Sequence, residues 1–424
     1  TLRDAEALAY RPLVAGLRDL VADLAECDDD FAAAEAALKQ VYLDAEALQA
    51  DELAASAAIQ LVQSVARDRA RAAEALVWAV PAEGSILRLG AEGSLFAASL
   101  AQNKAVVHLP LGEHDRALAE IQRALRLREE LLGPQHPSVA TTLEVLGSVQ
   151  RARGALDEAL AAQTRALAIR REALGADHPM TGVSANNLGL LEQLRGNYEA
   201  AQALFEEALQ IAERALGPDD LDTANARNNL GRLLHLRGRY DEALTHLERA
   251  LAIREAKLGP EDLDVAVTLQ NLGQLHLVRG ERLKARALFE RVLAIEEKKL
   301  DPSHPELVAI LDSLGNLDYR IGDYATAEAL HERALAIQRR ILRPDHPDLA
   351  NSLRNLALVL DARGQRDEAL AMASEALADA ERTLGPDHPD VAPFLNTLGL
   401  IQRRRDPAAA AATLERALAI STRT

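Results

Sequence analysis

Five histidines, His136, His178, His304, His346 and His388, stand at multiples of 42 residues from one another and are the first candidates for chemistry. A row of imidazoles could ligate a metal. Each of the five is followed by a proline, which marks an inter-element turn. Stacked helical elements lie about 10 Å apart, too far for imidazoles in successive turns to share one ion. The histidines are therefore expected to act in the turns themselves. Cys27 is the single cysteine, which excludes an intrachain disulfide and a thiolate zinc site. It reads as a buried helix-end residue rather than a nucleophile. No glycine loop precedes a lysine in the Walker pattern, and neither Gly-x-Ser-x-Gly nor His-Glu-x-x-His occurs. The expectation is a protein that is not an enzyme, with no cofactor and no metal.

A second polar column has recognition chemistry. Asn103, Val145, Asn187, Asn229, Asn271, Ser313, Asn355 and Thr397 recur at the same spacing, each just before a leucine or, at Asn103, a lysine. Asparagine is a mediocre helix former, so its recurrence inside helical segments needs a reason. An amide carries both a donor and an acceptor and can match a peptide bond or bond to a neighbouring helix.

The elements that must position these residues follow from an internal repeat. Gly133, Gly175, Gly217, Gly259, Asp301, Arg343 and Gly385 punctuate the chain every 42 residues. In the same register fall leucines from Leu146 to Leu398, turn glycines from Gly112 to Gly364 and alanines from Ala117 to Ala369. The unit after Gly217 is typical. Helix A spans Leu221 to Arg237, Gly238 stops it, and Asp241-Glu242 open a helix B that ends at Gly259-Pro260. The small residues Gly231 and Ala243 let the two helices approach closely, so a bulky residue at Gly231 is expected to part them. The final unit loses one residue at its turn, where Asp406 is a plausible cap and Pro407 a suitable first helical residue.

About eight such hairpins fill residues 91–424, predicting an all-α fold: an α-solenoid, a right-handed superhelix of antiparallel helical hairpins. Residues 1–90 read as degenerate helical hairpins forming an N-terminal extension or cap, with an independent bundle as the alternative. Their expected helices are Leu13 to Glu26, Phe31 to Leu48, Glu52 to Ala66 and Arg69 to Ala79, broken by Asp28-Asp29-Asp30 and by Pro81; Trp78 is expected in the core.

The composition agrees: 3% aromatic, 27% charged and a net charge of −17. The acidic balance argues against a broad nucleic-acid or anionic-membrane surface. No apolar run reaches the roughly 18 residues of a membrane span. The beginning, Thr1-Leu2-Arg3-Asp4, is not a signal peptide, and without an initiator Met the chain reads as excised from something longer or processed; with the lone cysteine, a cytoplasmic location is expected.

The Leu-Gly pair, the turn glycine, an aromatic two residues on (Tyr198, Tyr240, Tyr324) and the following Ala and Ala-Leu together resemble the tetratricopeptide repeat. The 42-residue length, with Arg-Ala-Leu-Ala-Ile-Arg-Glu at 249–255, is similar to the kinesin-light-chain subtype. Lys104 departs from the leucine position, and Leu156, Arg282 and Arg366 from the aromatic one. The resemblance implies a protein-protein interaction scaffold whose asparagines hold an extended peptide or partner segment in a concave groove. Asn187, Asn229, Asn271 and Asn355 match that asparagine ladder, and helical geometry adds Asn228, Arg232, Gln274, Asn316 and Arg354 on the adjoining inner face as candidate contacts. The inner face carries Arg151, Arg232, Arg320, Arg354, Arg403 and Arg404 against Glu144, Asp312 and Asp361, which favours a partner with an acidic or C-terminal carboxylate segment. Residues 9–14 (Ala-Tyr-Arg-Pro-Leu-Val) and Trp78 are similar to the region after the catalytic domain of large bacterial serine/threonine protein kinases. That resemblance implies a sensor or docking regulatory region, of a kinase or of a caspase-like peptidase, whose catalytic domain lies outside this chain. A self-assembling structural rod, associating through its ends by way of the helix Ala408 to Ile420, is a further alternative.

Overall fold

The computed structural model describes residues 31–66, 71–343 and 346–422. The expected helix Leu13 to Glu26, Cys27 and the aspartates 28–30 lie outside them. Among the described residues there are 19 α-helices and no strand, an α-solenoid of antiparallel hairpins. The chain divides into two compact units, Thr1–Leu233 and Leu234–Thr424.

Among the described residues of the first unit the earliest helices are α1 (Phe31–Leu48), α2 (Asp51–Ala66) and α3 (Ala72–Arg88). The paired helices α4 (Leu95–His108) and α5 (His114–Leu132), α6 (Pro137–Ala152) and α7 (Leu156–Ala173), and α8 (Pro179–Leu194) and α9 (Tyr198–Ala215) follow, then most of α10 (Leu221–Leu236). α2 pairs with α3, and α4 packs on both. One apolar cluster joins Val62, Ala75 and Leu100 from these three helices, with Trp78 and Tyr42 packed against it. Their rings meet edge to face, with centroids 5.7 Å apart.

In the second unit α11 (Tyr240–Leu258) packs on α12 (Leu263–Val278), which pairs with α13 (Arg282–Lys299). The remaining hairpins are α14 (Glu306–Ile321) with α15 (Tyr324–Ile341), α16 (Pro347–Ala362) with α17 (Arg366–Leu384), and α18 (Ala392–Gln402) with α19 (Pro407–Ser421). Gly238 takes φ 75°, the left-handed conformation that glycine enters at least cost. Asp406 accepts from the Ala408 and Ala409 amides, and Pro407 occupies the first turn of α19.

One expectation fails. Pro81 does not end a helix near Ala79; α3 continues through it to Arg88. Proline removes one helical hydrogen bond, here to the carbonyl of Val77. Val77 and Val80 are 66% and 69% exposed, so this side of α3 faces water, which can satisfy that carbonyl. The Ser85 hydroxyl donates to the Pro81 carbonyl at 3.1 Å, and the helix resumes.

Close approach sets the geometry of each hairpin. A Cβ placed on Gly189 of α8 would lie 2.7 Å from the Phe205 ring of α9. In the same register Gly147 faces Gln163, Gly273 faces Phe289 and Gly315 faces His331. Where helix A carries the larger Ala357, helix B carries Ala373 in place of a ring. Small and large residues thus compensate across the pair.

The recurrent histidines cap the start of helix A, His388 through the short 3-10 turn Pro389–Val391 that leads into α18. Nδ1 of His136, His178, His304, His346 and His388 accepts the backbone N–H two residues on, at 3.1 to 3.3 Å. Asp220 and Asp262 occupy the same register and accept in the same way. The turn role is therefore specific: each side chain satisfies one of the orphan amides of a helix start.

Two outcomes test this packing. Gly189→Ala should lower stability by about 1–3 kcal/mol through overpacking, and adding Phe205→Leu should recover part of that loss in a denaturant double-mutant cycle. His178→Ala should cost about 1 kcal/mol while His178→Asp retains most of the stability.

Candidate functional site

In the first unit, α6, α8 and α10 form a cavity of about 420 Å³. Val145, Leu190, Leu191 and Leu194 supply its apolar lining; Thr141, Ser148, Asn187 and Gln193 supply neutral polar groups; Glu144, Arg151 and Arg232 supply charge. Asn187 and Arg232, singled out from sequence, therefore share one site. Arg232 donates to Gln193 Oε1 at 3.2 Å. Burial pushes its guanidinium below the ordinary arginine value, as it does for Arg354.

The remaining candidates differ in environment. Asn229 is half-buried and donates to Asn186 Oδ1 at 2.9 Å, while Asn103, earlier in the same column, donates to the Ile59 carbonyl at 3.1 Å. Each thus spends one amide hydrogen on a neighbouring helix and keeps a second. Asn228 is only 5% exposed, so it belongs to the packing rather than to the surface. In the second unit Asn271 and Gln274 are half-buried on α12, Asn316 is exposed on α14, and Arg354 and Asn355 are half-buried on α16. The Arg354 guanidinium lies 5.5 Å from the centroid of the Phe394 ring.

Glu144 lines the cavity, but its charge is already answered. Arg170, at the end of α7 and 1% exposed, clasps both Glu144 oxygens at 2.7 and 2.8 Å. Arg170 also donates to the Ser184 hydroxyl at 2.8 Å and to the Met180 carbonyl at 3.0 Å. Asp312, the second acid expected on the inner face, is likewise bonded to buried His331 at 2.8 Å. Arg151 and Arg232 are then the uncompensated charges of the cavity.

Arg170 belongs to a column that the sequence reading missed. Arg128 donates to Gln102 and Thr142, and Arg254 donates to Thr268 Oγ1 and the Asp264 carbonyl, both at 2.7 Å. Each ties the end of one helix B to the next helix A. The signal was present in the sequence: an arginine 14 residues before a hydroxyl, three times over. Elsewhere the register changes, and at Gln338 the Ser352 hydroxyl remains although the arginine is gone. Ala212 is matched by Ala226, and Ala380 by Phe394, with the arginine moved to position 354.

The tetratricopeptide repeat model matches in overlapping windows from residue 96 to residue 423. The chain belongs to the tetratricopeptide repeat family. Such repeats are generally protein-interaction scaffolds. A signal-transduction ATPase with numerous domains and a tetratricopeptide repeat sensor, from Pyrococcus horikoshii, is similar in fold. It is 17% identical over 91% of this chain and 53% of that one, with a TM-score of 0.58. A Rap protein complexed with Competence and Sporulation Factor is 15% identical over 87% of this chain and 98% of its own, with a TM-score of 0.52. A putative kinesin light chain from Podosopora anserina, with nearly identical repeats, is 28% identical over 49% of this chain and 98% of its own, with a TM-score of 0.44. No curated protein matches the sequence. No described helix is long and apolar enough to cross a membrane.

Removing the Arg170 side chain leaves Glu144 without its cation. Arg170→Ala should cost about 3–5 kcal/mol in chemical denaturation, and Glu144→Gln appreciably less, because the amide can still accept from the guanidinium.

Proposed function

We propose that this chain is a non-catalytic docking scaffold that holds an extended, acidic peptide segment of a partner protein along the inner faces of its A helices. One observation carries the reading: in the cavity between α6, α8 and α10, Arg151 and Arg232 stand beside Asn187 and an apolar wall, while the adjoining Glu144 is neutralised by Arg170. A carboxylate of the ligand would meet the two guanidinium groups. Its apolar neighbour would rest on Leu190 and Leu194, and its backbone would meet the Asn187 amide. Asn229 would continue the contact within the first unit, and Asn271, Gln274, Asn316, Arg354 and Asn355 would offer like contacts on α12, α14 and α16 of the second. Asn228 drops out as a direct contact because it is buried. Residues 1–90 would extend the stack, a reading supported by the apolar cluster shared among α2, α3 and α4. The compartment we favour is the cytoplasm.

A second reading places this scaffold as the sensor region of a larger signalling protein. A repeat solenoid of the same fold is described as the sensor of the Pyrococcus horikoshii ATPase. The proposed likeness to kinase-associated regions rests on residues 9–14, outside the described residues, and on Trp78, whose packing against Tyr42 gives it a structural role.

Affinity capture from the source cell's lysate tests the groove. The wild type should retain a partner that Arg151→Glu/Arg232→Glu loses by about tenfold or more, with both proteins equally helical by circular dichroism. Equal retention by the two would remove the cavity from the binding surface.

A further inference from the structure

The buried arginine column has one chemically inverted member. At the junction of α13 with α14, position 296 is a glutamate where Arg128, Arg170 and Arg254 stand in their repeats. Position 310 is an isoleucine where those arginines find Thr142, Ser184 and Thr268. The Glu296 Oε2 atom is buried and has no hydrogen-bond partner. The charged group acting on it is Glu306, in the first turn of α14, which has the same sign. From α12 the register presents Gln270, a neutral amide, where Glu144 meets Arg170. A junction built for a cation thus holds a carboxyl group, an isoleucine and a second acid.

We propose that Glu296 makes the α13–α14 junction a proton-gated joint: the neutral carboxyl packs within it, and ionisation loosens it locally. Burial, and secondarily Glu306, push the Glu296 carboxyl up to about 7 from 4.5. The folded-state value lies above the unfolded one, so the sign is fixed. Well below 4.5 the carboxyl is protonated whether the junction is closed or open, and it opposes nothing. Between 4.5 and about 7 the closed junction holds a proton that the open one releases, so stability falls as pH rises. Above that window the full penalty persists. A guanidinium stays charged across this range, so junctions tied by arginine lack this response. The joint lies within the second unit and would let the register of α12 and α14, hence the spacing of Asn271 and Asn316, depend on proton concentration.

Hydrogen exchange on the full chain, corrected for the intrinsic pH dependence of amide exchange, tests the joint. Wild-type protection in α13 and α14 should fall by up to about tenfold between about pH 6 and about pH 8, while α6 to α8 change little. Glu296→Gln keeps the shape without the charge and should abolish the fall. Glu296→Arg/Ile310→Thr should restore a cross-tie and also abolish it, and Glu332→Gln on exposed α15 surface should behave as wild type. A fall of equal size in wild type and Glu296→Gln, or no fall in wild type, overturns the proposal.

Discussion

Two helices can lie against each other at the distance seen in these hairpins only where one presents glycine or alanine at the crossing. The Gly189–Phe205 and Gly315–His331 contacts show how tightly this is enforced: the partner's ring occupies the volume that a methyl group would need. From this contact the rest follows. Close approach fixes which face of helix A turns inward to helix B, and therefore which residues remain for the opposite face. Asn187 and Arg232 reach the cavity because the neighbouring leucines and glycines are committed to the hairpin. The fold is repetitive because the constraint is local and is met afresh in each repeat.

Between repeats the chemistry changes. Apolar contact stacks one hairpin on the next, but leucine and alanine surfaces alone tolerate sliding by a helical turn. A buried arginine that must meet a carbonyl and a hydroxyl on the next helix A specifies one register. A misaligned stack would leave a guanidinium without partners in a dry setting. Arg170 satisfies this demand most fully, and it also removes Glu144 from the charge balance of the cavity. Register and ligand electrostatics are therefore set by one side chain.

Much of this was legible in the sequence because periodicity converts directly into structure. The helix boundaries around Gly238, the Asp406-Pro407 turn and the small residues of the close contact all followed from types recurring at fixed spacing. Pro81 was misread because a local rule ignores which side of a helix faces water. The histidines were placed in turns, but their function as Nδ1 acceptors emerged only when backbone geometry was present. The arginine column escaped notice because a charged residue in a helix reads as surface until its neighbours are known. Asn228 failed as a surface candidate for the opposite reason, since adjacent positions on a helix differ sharply in burial.

The cross-tie has a consequence for how such a protein can change over generations. Its arginine belongs to one repeat and its hydroxyl to the next, so neither repeat carries the complete set. Copying or deleting a unit places an arginine before whatever helix now follows it. A new seam satisfies that arginine if the helix offers a hydroxyl; otherwise arginine and partner can be replaced together. The Ala212–Ala226 seam and the relocated cation at Arg354–Phe394 are two such joint solutions. Repeats in this chain are thus interchangeable by shape but paired by chemistry, and the heritable module is the junction rather than the hairpin.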